Sequence, residues 1–245
     1  MFNISEVGPI VRGNQVEFRL SLPNVTPPNF EVNVYIIKRS QQFDRTVPAQ
    51  KFALSAVSTN DLWGDLPKGL WTTTVTLDRD ETYIYRYELV GPAKTNADNQ
   101  VRSLFFGDPY ARDTADGVFS VVRVQDELPP LIDPPAYKVP ALKDAILYEL
   151  NVAEFANDFY GIIERLPYLE SLGLNVLELM PINSIAEPSR WGYMPIFDFA
   201  PEERFGGGEG FRKLIQACHE KHIAVILDMV YAHADYMFPY QVGYD

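Results

Sequence analysis

The residues best suited to chemistry lie near the end of one apolar segment of the sequence. The run Ala224–Val230 is apolar except for Asp228, and His233 follows Asp228 by five residues. An apolar run that ends in a carboxylate is typical of a strand in a parallel α/β barrel, where site residues lie at the carboxyl ends of the strands. We therefore interpret Asp228 and His233 as candidate site residues at the rim of such a barrel.

Two other features invite a chemical interpretation but have simpler structural explanations. His219 and His222 lie three residues apart in a predicted helix and could share a metal ion. No third ligand is evident, so we expect both on a solvent-exposed helix face. Cys218 is the single cysteine and follows the apolar periodicity of the same helix, which indicates a buried, inert thiol without an internal disulfide.

The elements that must position Asp228 and His233 alternate between strands and helices. They are, in chain order, a strand at 146–152, a helix over 162–172, a strand at 175–180, a helix at 211–221 and a strand at 223–230. Pro167 lies inside the first helical pattern and predicts a kink or a late helix start, and Gly173 is placed as the C-terminal cap. Nearly continuous apolar strands in this order indicate a parallel sheet built from right-handed crossovers.

The first 125 residues have a different pattern, that of an antiparallel sandwich. Several segments alternate in polarity and are separated by Pro, Gly, Asn and Asp. The predicted strands are 16–22, 31–37, 51–57, 70–77, 82–90 and 118–124. Five prolines between residues 128 and 140 predict an extended, stiff connection. We therefore expect a sandwich domain at 1–125, a Pro-rich linker at 126–143 and a strand–helix domain at 144–245.

Composition and charge limit the class of partner. The formal net charge of −12 and the pI near 4.7 oppose binding to a phosphate backbone or an anionic membrane, so neither partner is expected. The first residues lack a basic region followed by an apolar one, and no run approaches the roughly 20 apolar residues of a membrane span. The sequence therefore predicts a cytoplasmic protein.

Specific motifs follow the linker in a defined order. They are Leu147–Leu150, Gly161–Leu169, Leu177–Pro181, Trp191–Tyr193, Phe199–Gly206 and Asp228–His233. Together they resemble the start of the catalytic barrel of the α-amylase superfamily of glycoside hydrolases and transglycosylases. Motifs of the first part resemble the starch-binding, immunoglobulin-like module that precedes this barrel in glycogen branching enzymes, pullulanases, isoamylases and trehalohydrolases. These motifs are Gly69–Trp71, Tyr83–Tyr87 and Asp108–Arg112. The resemblance implies an all-β immunoglobulin-like sandwich followed by an incomplete (β/α)8 TIM barrel, of which the first three βα units are present.

The resemblance also implies substrate-binding roles. Tyr193 matches the tyrosine whose ring stacks on the sugar at the cleaved bond, and His233 matches the histidine that hydrogen-bonds hydroxyls of that sugar. Asp228 matches the strand-end carboxylate that orders the polar network, and Glu178 is expected to point into the barrel and help to order the site. Without the other motifs, Tyr193 would be interpreted as a packed loop aromatic and His233 as a surface histidine. Ala232 stands where many members have a calcium-binding Asn, so we expect no metal site, and no cofactor is implied.

The resemblance places the catalytic carboxylates on strands that this sequence does not include. In the superfamily the nucleophilic Asp, the acid Glu and a further Asp follow the fourth, fifth and seventh strands, so we assign no catalytic residue here. The expected function is therefore that of an amino-terminal portion of an α-glucan-active glycoside hydrolase or glucanotransferase, inactive as supplied. The alternatives are a non-catalytic α-glucan-binding protein and a truncated reading frame without independent function.

Two further expectations concern surfaces. Trp63 and Trp71 could form a glucan-stacking platform on the sandwich, although the alternating pattern around Trp71 favours a core or edge position for it. An open barrel leaves an unpaired strand edge and exposed apolar side chains, which predicts self-association.

Overall fold

The computed structural model describes residues 7–57, 69–92, 101–126, 129–186 and 191–239. The chain divides into two compact units, one containing the chain up to residue 127 together with residues from 236 onward, and the other containing residues 128–235. Trp63 lies outside the described residues. Within the described residues, no helix combines the length and the apolar character that crossing a membrane would require.

The first unit consists of two antiparallel sheets. One has the strand order β1-β2-β6-β5, and the other has the order β4-β3-β7-β10-β9, with β8 also paired to β7. The strands are β1 (Gly8–Arg12), β2 (Gln15–Ser21), β3 (Glu31–Lys38), β4 (Gln50–Ala53), β5 (Ser55–Ala56), β6 (Leu70–Thr76), β7 (Thr82–Pro92), β8 (Val101–Phe106), β9 (Thr114–Ala115) and β10 (Phe119–Arg123). Each of the six predicted strand regions contains a strand. The sequence prediction missed β1, β8 and β9.

Both sheets contribute side chains to one core. Phe18 from β2, Val34 from β3 and Tyr85 from β7 are fully buried in it. Trp71 is only 3% exposed, and its indole N–H donates to the carbonyl of Val25 at 3.2 Å. The expected core position of Trp71 is therefore confirmed, and its ring is not available to bind a ligand. The immunoglobulin-like assignment stays a prediction.

A buried carboxylate connects two of the motifs that carry the resemblance in this unit. Asp108 is fully buried and accepts hydrogen bonds from the Tyr85 hydroxyl and the Tyr110 backbone N–H, both at 2.8 Å. Its own N–H donates to Ser120 Oγ at 2.7 Å. Burial raises the pKa of Asp108 to about 6, because these hydrogen bonds only partly offset the cost of removing the charge from water.

We predict that Asp108 makes the stability of the first unit depend on pH. The folded chain keeps the Asp108 proton up to about pH 6, whereas the unfolded chain releases it near the ordinary pKa of 3.8. The folded state therefore binds more protons in this window, and the free energy of unfolding should fall as the pH rises from about 4 to about 6. The fall should be at most about 3 kcal/mol, because one pKa unit corresponds to about 1.4 kcal/mol. Urea unfolding of the unmodified chain and of Asp108→Asn at several pH values measures this fall. If the difference in the free energy of unfolding between the two chains does not change with pH, the assignment is contradicted.

The second unit is built on a three-stranded parallel sheet in the order β11-β12-β15. The strands are β11 (Leu147–Leu150), β12 (Val176–Leu179) and β15 (Ala224–Leu227), and a short antiparallel pair is formed by β13 (Asn183–Ser184) and β14 (Phe197–Pro201). The helices are α1 (Val152–Ala156), α2 (Phe159–Ser171) and α3 (Gly207–Glu220). The predicted parallel sheet is confirmed, whereas its membership of an incomplete barrel stays a prediction.

Helix α2 differs from its prediction at Pro167. Asp158 caps the helix by accepting the backbone N–H of Gly161 at 2.7 Å, so the helix begins eight residues before Pro167 and the predicted late start is wrong. Pro167 loses one backbone hydrogen bond, but buried side chains on the opposite face, including Leu166 and Leu169, hold the helix in the core. Gly173 follows the helix with φ +79°, a conformation that favours glycine.

Helix α3 corrects the prediction for the two histidines. The His219 ring stacks on Tyr137 with a centroid distance of 4.0 Å, and its Nδ1 lies 2.6 Å from Asp133 Oδ1. The side chain is only 16% exposed, because the Pro-rich segment covers this face of the helix. His222 lies beyond the end of α3. The predicted solvent exposure is therefore wrong for His219 and confirmed for His222, and the two residues do not share a helix face. Cys218, on the same helix, is buried as expected, and burial raises the pKa of its thiol to about 12.

Candidate functional site

The three predicted substrate-binding residues lie together in the second unit. The Tyr193 hydroxyl donates to Asp228 Oδ2 at 2.6 Å. His233 Nε2 lies 2.8 Å from the backbone carbonyl of Tyr193. Because a carbonyl oxygen only accepts hydrogen bonds, Nε2 carries the proton in this contact, and the neutral ring then offers Nδ1 as an acceptor. Tyr193 therefore connects the other two residues.

The parallel sheet fixes the position of Asp228. Its backbone N–H donates to the Leu179 carbonyl at 2.9 Å, so the residue continues the pairing of β15 with β12 past the end of both strands. Asp228 therefore lies at the carboxyl edge of the sheet, where site residues are placed in parallel α/β folds.

Alternation along the strands separates the two faces of the sheet. Tyr148, Leu177 and Val225 pair across the three strands and pack in the core with the helices. Glu149 and Glu178, which are paired with each other one position further along, therefore point to the opposite face. The expectation that Glu178 points into a barrel stays a prediction, and this register places Glu178 on the face opposite the helices. Glu149 was not singled out from the sequence, although the same alternation could have identified it.

A three-residue segment, Trp191–Tyr193, spans the carboxyl edge of the sheet and is called the rim segment below. Trp191 Nε1 donates to Glu154 Oε1 at 2.9 Å, and α1, which carries Glu154, directly follows β11. Gly192 has φ +87°, and a Cβ atom there would lie 2.3 Å from the carbonyl oxygen of Pro181, just after β12. With Tyr193 bound to Asp228 after β15, the segment is fixed beyond the end of each strand of the sheet.

Carboxylates dominate the electrostatics around the Tyr193 hydroxyl. The hydrogen bond to Asp228, partial burial and the negative charges of Asp228, Glu149 and Glu178 together raise the pKa of Tyr193 to about 12. The phenol is therefore a neutral donor at any physiological pH. A surface with several carboxylate acceptors and one flat ring is suited to a neutral ligand that is rich in hydroxyl groups.

An ion pair with a buried carboxylate connects the loops that flank the rim segment. Glu202 is 1% exposed and accepts two hydrogen bonds from the Arg204 guanidinium, at 2.7 and 3.0 Å, and one from the Ile185 N–H at 3.1 Å. The same guanidinium donates to the Ile185 carbonyl at 2.9 Å. These bonds join Ile185, which directly follows β13, to residues that directly follow β14.

Among the described residues, no group of three or more His, Cys, Asp or Glu side chains is arranged to hold a metal ion. The expectation of no calcium site, made from Ala232, stays a prediction. The sequence did not predict the hydrogen bond between Trp191 and Glu154, although Trp191 belongs to one of the motifs named above.

Comparison with known proteins identifies the family. The family model described as the alpha amylase catalytic domain matches residues 105–242. The chain belongs to the α-amylase family. The match begins in β8 of the first unit and covers all of the described second unit.

Relatives within the α-amylase family are similar over part of this chain. A malto-oligosyltrehalose trehalohydrolase from Saccharolobus solfataricus is 40% identical over 93 residues, which are 37% of this chain and 17% of the relative. A 1,4-alpha-glucan branching enzyme from Shewanella frigidimarina is 36% identical over 104 residues, which are 38% of this chain and 14% of the relative. The matched region thus spans about a sixth of the length of these curated relatives.

Solved structures show the same fold over most of the chain. A pullulanase from Anoxybacillus sp. LM18-11, complexed with maltotriose, has a TM-score of 0.69 at 22% identity and matches 93% of this chain and 34% of its own. A pullulanase from Bacillus acidopullulyticus has a TM-score of 0.69 at 19% identity and matches 98% of this chain and 31% of its own. The likeness shows that this chain has the fold of the matching part of these structures.

We predict that Asp228 controls the ionisation of Tyr193. In Asp228→Asn the charge is lost while an acceptor oxygen remains, so the pKa of Tyr193 should fall from about 12 toward its ordinary value of 10. NMR of chains labelled with carbon-13 at the tyrosine Cζ can follow this titration, with the resonance assigned by its loss in Tyr193→Phe. Asp198→Asn is the matched control, because Asp198 is not among the groups that raise this pKa. Equal pKa values of Tyr193 in the unmodified chain and in Asp228→Asn would contradict the assigned hydrogen bond.

Proposed function

We propose that this chain carries the substrate-binding rim of an α-glucan-active glycoside hydrolase or glucanotransferase. The observation that carries the proposal is the linked set of Tyr193, Asp228 and His233 at the carboxyl edge of a parallel sheet. Membership of the α-amylase family supports it. So do the names of the relatives, a trehalohydrolase and a 1,4-alpha-glucan branching enzyme, and the maltotriose in one pullulanase structure.

Each residue has a distinct role in this proposal. The Tyr193 ring stacks on the apolar face of one glucose unit, and its hydrogen bond to Asp228 fixes the ring orientation. Asp228 also accepts hydrogen bonds from sugar hydroxyls. His233, whose Nε2 donates to the Tyr193 carbonyl, accepts a sugar hydroxyl through Nδ1. The site therefore binds and orients a neutral sugar before any bond is broken.

Bond cleavage is assigned to other strands of a complete barrel. A retaining glycosidase needs a nucleophilic carboxylate and an acid about 5 Å apart. The family resemblance assigns these groups to the fourth, fifth and seventh strands, so Glu149, Glu178 and Asp228 are not proposed as nucleophile or acid. The relatives differ in the reactions that their names describe, and the proposal is therefore made for α-glucans as a class, with either water or a glucan as acceptor.

We predict that the chain binds maltoheptaose without hydrolysing it. Tyr193→Ala should weaken binding at the rim by about tenfold, since it removes both the stacking surface and the hydroxyl. Tyr193→Phe keeps the ring and should cost less. Calorimetric titration measures the affinity, and release of reducing sugar measures turnover. Turnover above that of a heat-treated sample, or an affinity unchanged in Tyr193→Ala, would contradict this assignment.

We also propose a second glucan-binding surface on the first unit, separate from the rim. A cleft of about 300 Å3 is lined by Tyr35, Phe43, Arg86, Phe105 and Phe119. The Arg86 guanidinium lies 5.7 Å from the Phe105 ring centroid and 5.8 Å from that of Phe119, and Phe43 is 81% exposed. Exposed rings beside guanidinium and phenol groups support sugar binding here. The cleft is distinct from the possible platform at Trp63 and Trp71, of which Trp71 is buried in the core.

We predict that this cleft supplies most of the affinity for glycogen. Phe43→Ala should therefore reduce glycogen retardation in native affinity electrophoresis more than Tyr193→Ala does, because it removes an exposed stacking ring. Tyr168→Ala is the matched control, since Tyr168 is an exposed aromatic on helix α2. Equal retardation of Phe43→Ala and Tyr168→Ala would refute the cleft assignment.

A further inference from the structure

Trp191 combines three features that packing does not explain. Its side chain is 56% exposed, which is unusual for so large an apolar ring. Its backbone has φ +52°, a conformation that disfavours a bulky residue. Its indole N–H nevertheless has a defined acceptor, Glu154 Oε1, at 2.9 Å. The ring is thus held at the surface by a specific hydrogen bond despite a strained backbone.

The position of Trp191 places this ring at the edge of the candidate site. Glu154 lies on α1, immediately after β11, and Asp228 lies immediately after β15. The rim segment therefore runs from the β11 side of the sheet edge, at Trp191, to the β15 side, at Tyr193. Two residues of chain separate the backbones of Trp191 and Tyr193 by at most about 7 Å. The two side chains are therefore close enough along the chain to contact one extended ligand.

The chemistry of the exposed Trp191 ring limits the class of ligand that it can bind. Since the single indole donor is already used by Glu154, the ring offers its flat face rather than a hydrogen bond. A flat aromatic face fits the apolar side of a pyranose. Exposed carboxylates such as Glu154 and Glu149 make the surroundings negative, which disfavours an anionic ligand.

We propose that Trp191 is a second stacking platform of the rim, which takes the glucose unit adjacent to the one on Tyr193. Glu154 is a positioning residue that fixes the orientation of the indole. This inference rests on the proposed function of Tyr193 and extends it, because two platforms select a chain of linked glucose units over a single sugar. The close approach of Gly192 to Pro181 fixes the backbone between the two residues, and the hydrogen bonds to Glu154 and Asp228 orient their side chains.

The test observes the Trp191 side chain itself, in the full chain. Its indole N–H resonance, assigned by its loss in Trp191→Phe, is followed by NMR during titration with maltoheptaose or with glucose. We expect a saturable shift with maltoheptaose and none with glucose at the same molar concentration. Glu154→Ala should weaken the apparent affinity at this resonance by about threefold, and Glu154→Gln, which keeps an acceptor oxygen, should restore it. Glu164→Ala on the exposed part of α2 is the control and should change nothing.

The outcomes separate this inference from the proposed function. If Tyr193→Ala abolishes rim binding but the Trp191 resonance does not respond to maltoheptaose, the second platform is wrong and the proposed function stands. If the resonance responds equally to glucose, or if Glu154→Gln behaves like Glu154→Ala, the selection or the positioning role is wrong. If the unmodified chain shows no maltoheptaose binding that depends on Tyr193, the proposed function falls, and this inference falls with it.

Discussion

Parallel pairing of three strands is the constraint on which the candidate site depends. Because Leu150, Leu179 and Leu227 end their strands at matching positions, the chain leaves the sheet at one edge three times. Every contact of the rim segment is made to a residue that follows one of these ends. A shift in the register of β15 by one residue would turn Asp228 toward the helices and remove the acceptor of the Tyr193 hydroxyl. The site is therefore a property of strand register before it is a property of any side chain.

Two buried carboxylates, one in each unit, differ in how their partners offset the free-energy cost of removing a charge from water. The hydrogen bonds that Asp108 accepts from Tyr85 and Tyr110 come from neutral donors and offset only part of the cost of burial, so its pKa rises. Glu202 has a guanidinium bound through two nitrogens, and the same Arg204 group also satisfies the Ile185 carbonyl. A guanidinium bound in this way compensates part of the cost of burying the Glu202 carboxylate. The chain next to the rim segment is thus anchored through the Glu202–Arg204 pair.

The sequence predicted the elements better than it predicted contacts between distant segments. Tyr193, Asp228 and His233 were recognised because they belong to short motifs, and alternation and spacing located the principal strands and helices. The bond from Trp191 to Glu154 joins residues 37 positions apart, and neither neighbourhood signals the other. His219 was assigned to solvent because nothing in its helix indicates that Tyr137 and Asp133 cover it. Strand β1 could have been found, since Gly13 and Asn14 form a two-residue turn between paired Arg12 and Gln15.

The sheet face opposite the helices changes in character along the strands. At the level of Leu147, Val176 and Ala224 it is apolar, and one step further it carries Glu149 and Glu178 beside Ile226. Beyond the strand ends come Asp228 and the Tyr193 hydroxyl. In a barrel interior, side chains fill successive layers, and the layer nearest the carboxyl edge meets the substrate. Polarity that increases toward this edge lets the apolar layer pack while the carboxylates keep partners among solvent or sugar hydroxyls. The same gradient explains why exposed Leu147 and Ile226 coexist with a polar rim on one face of the sheet.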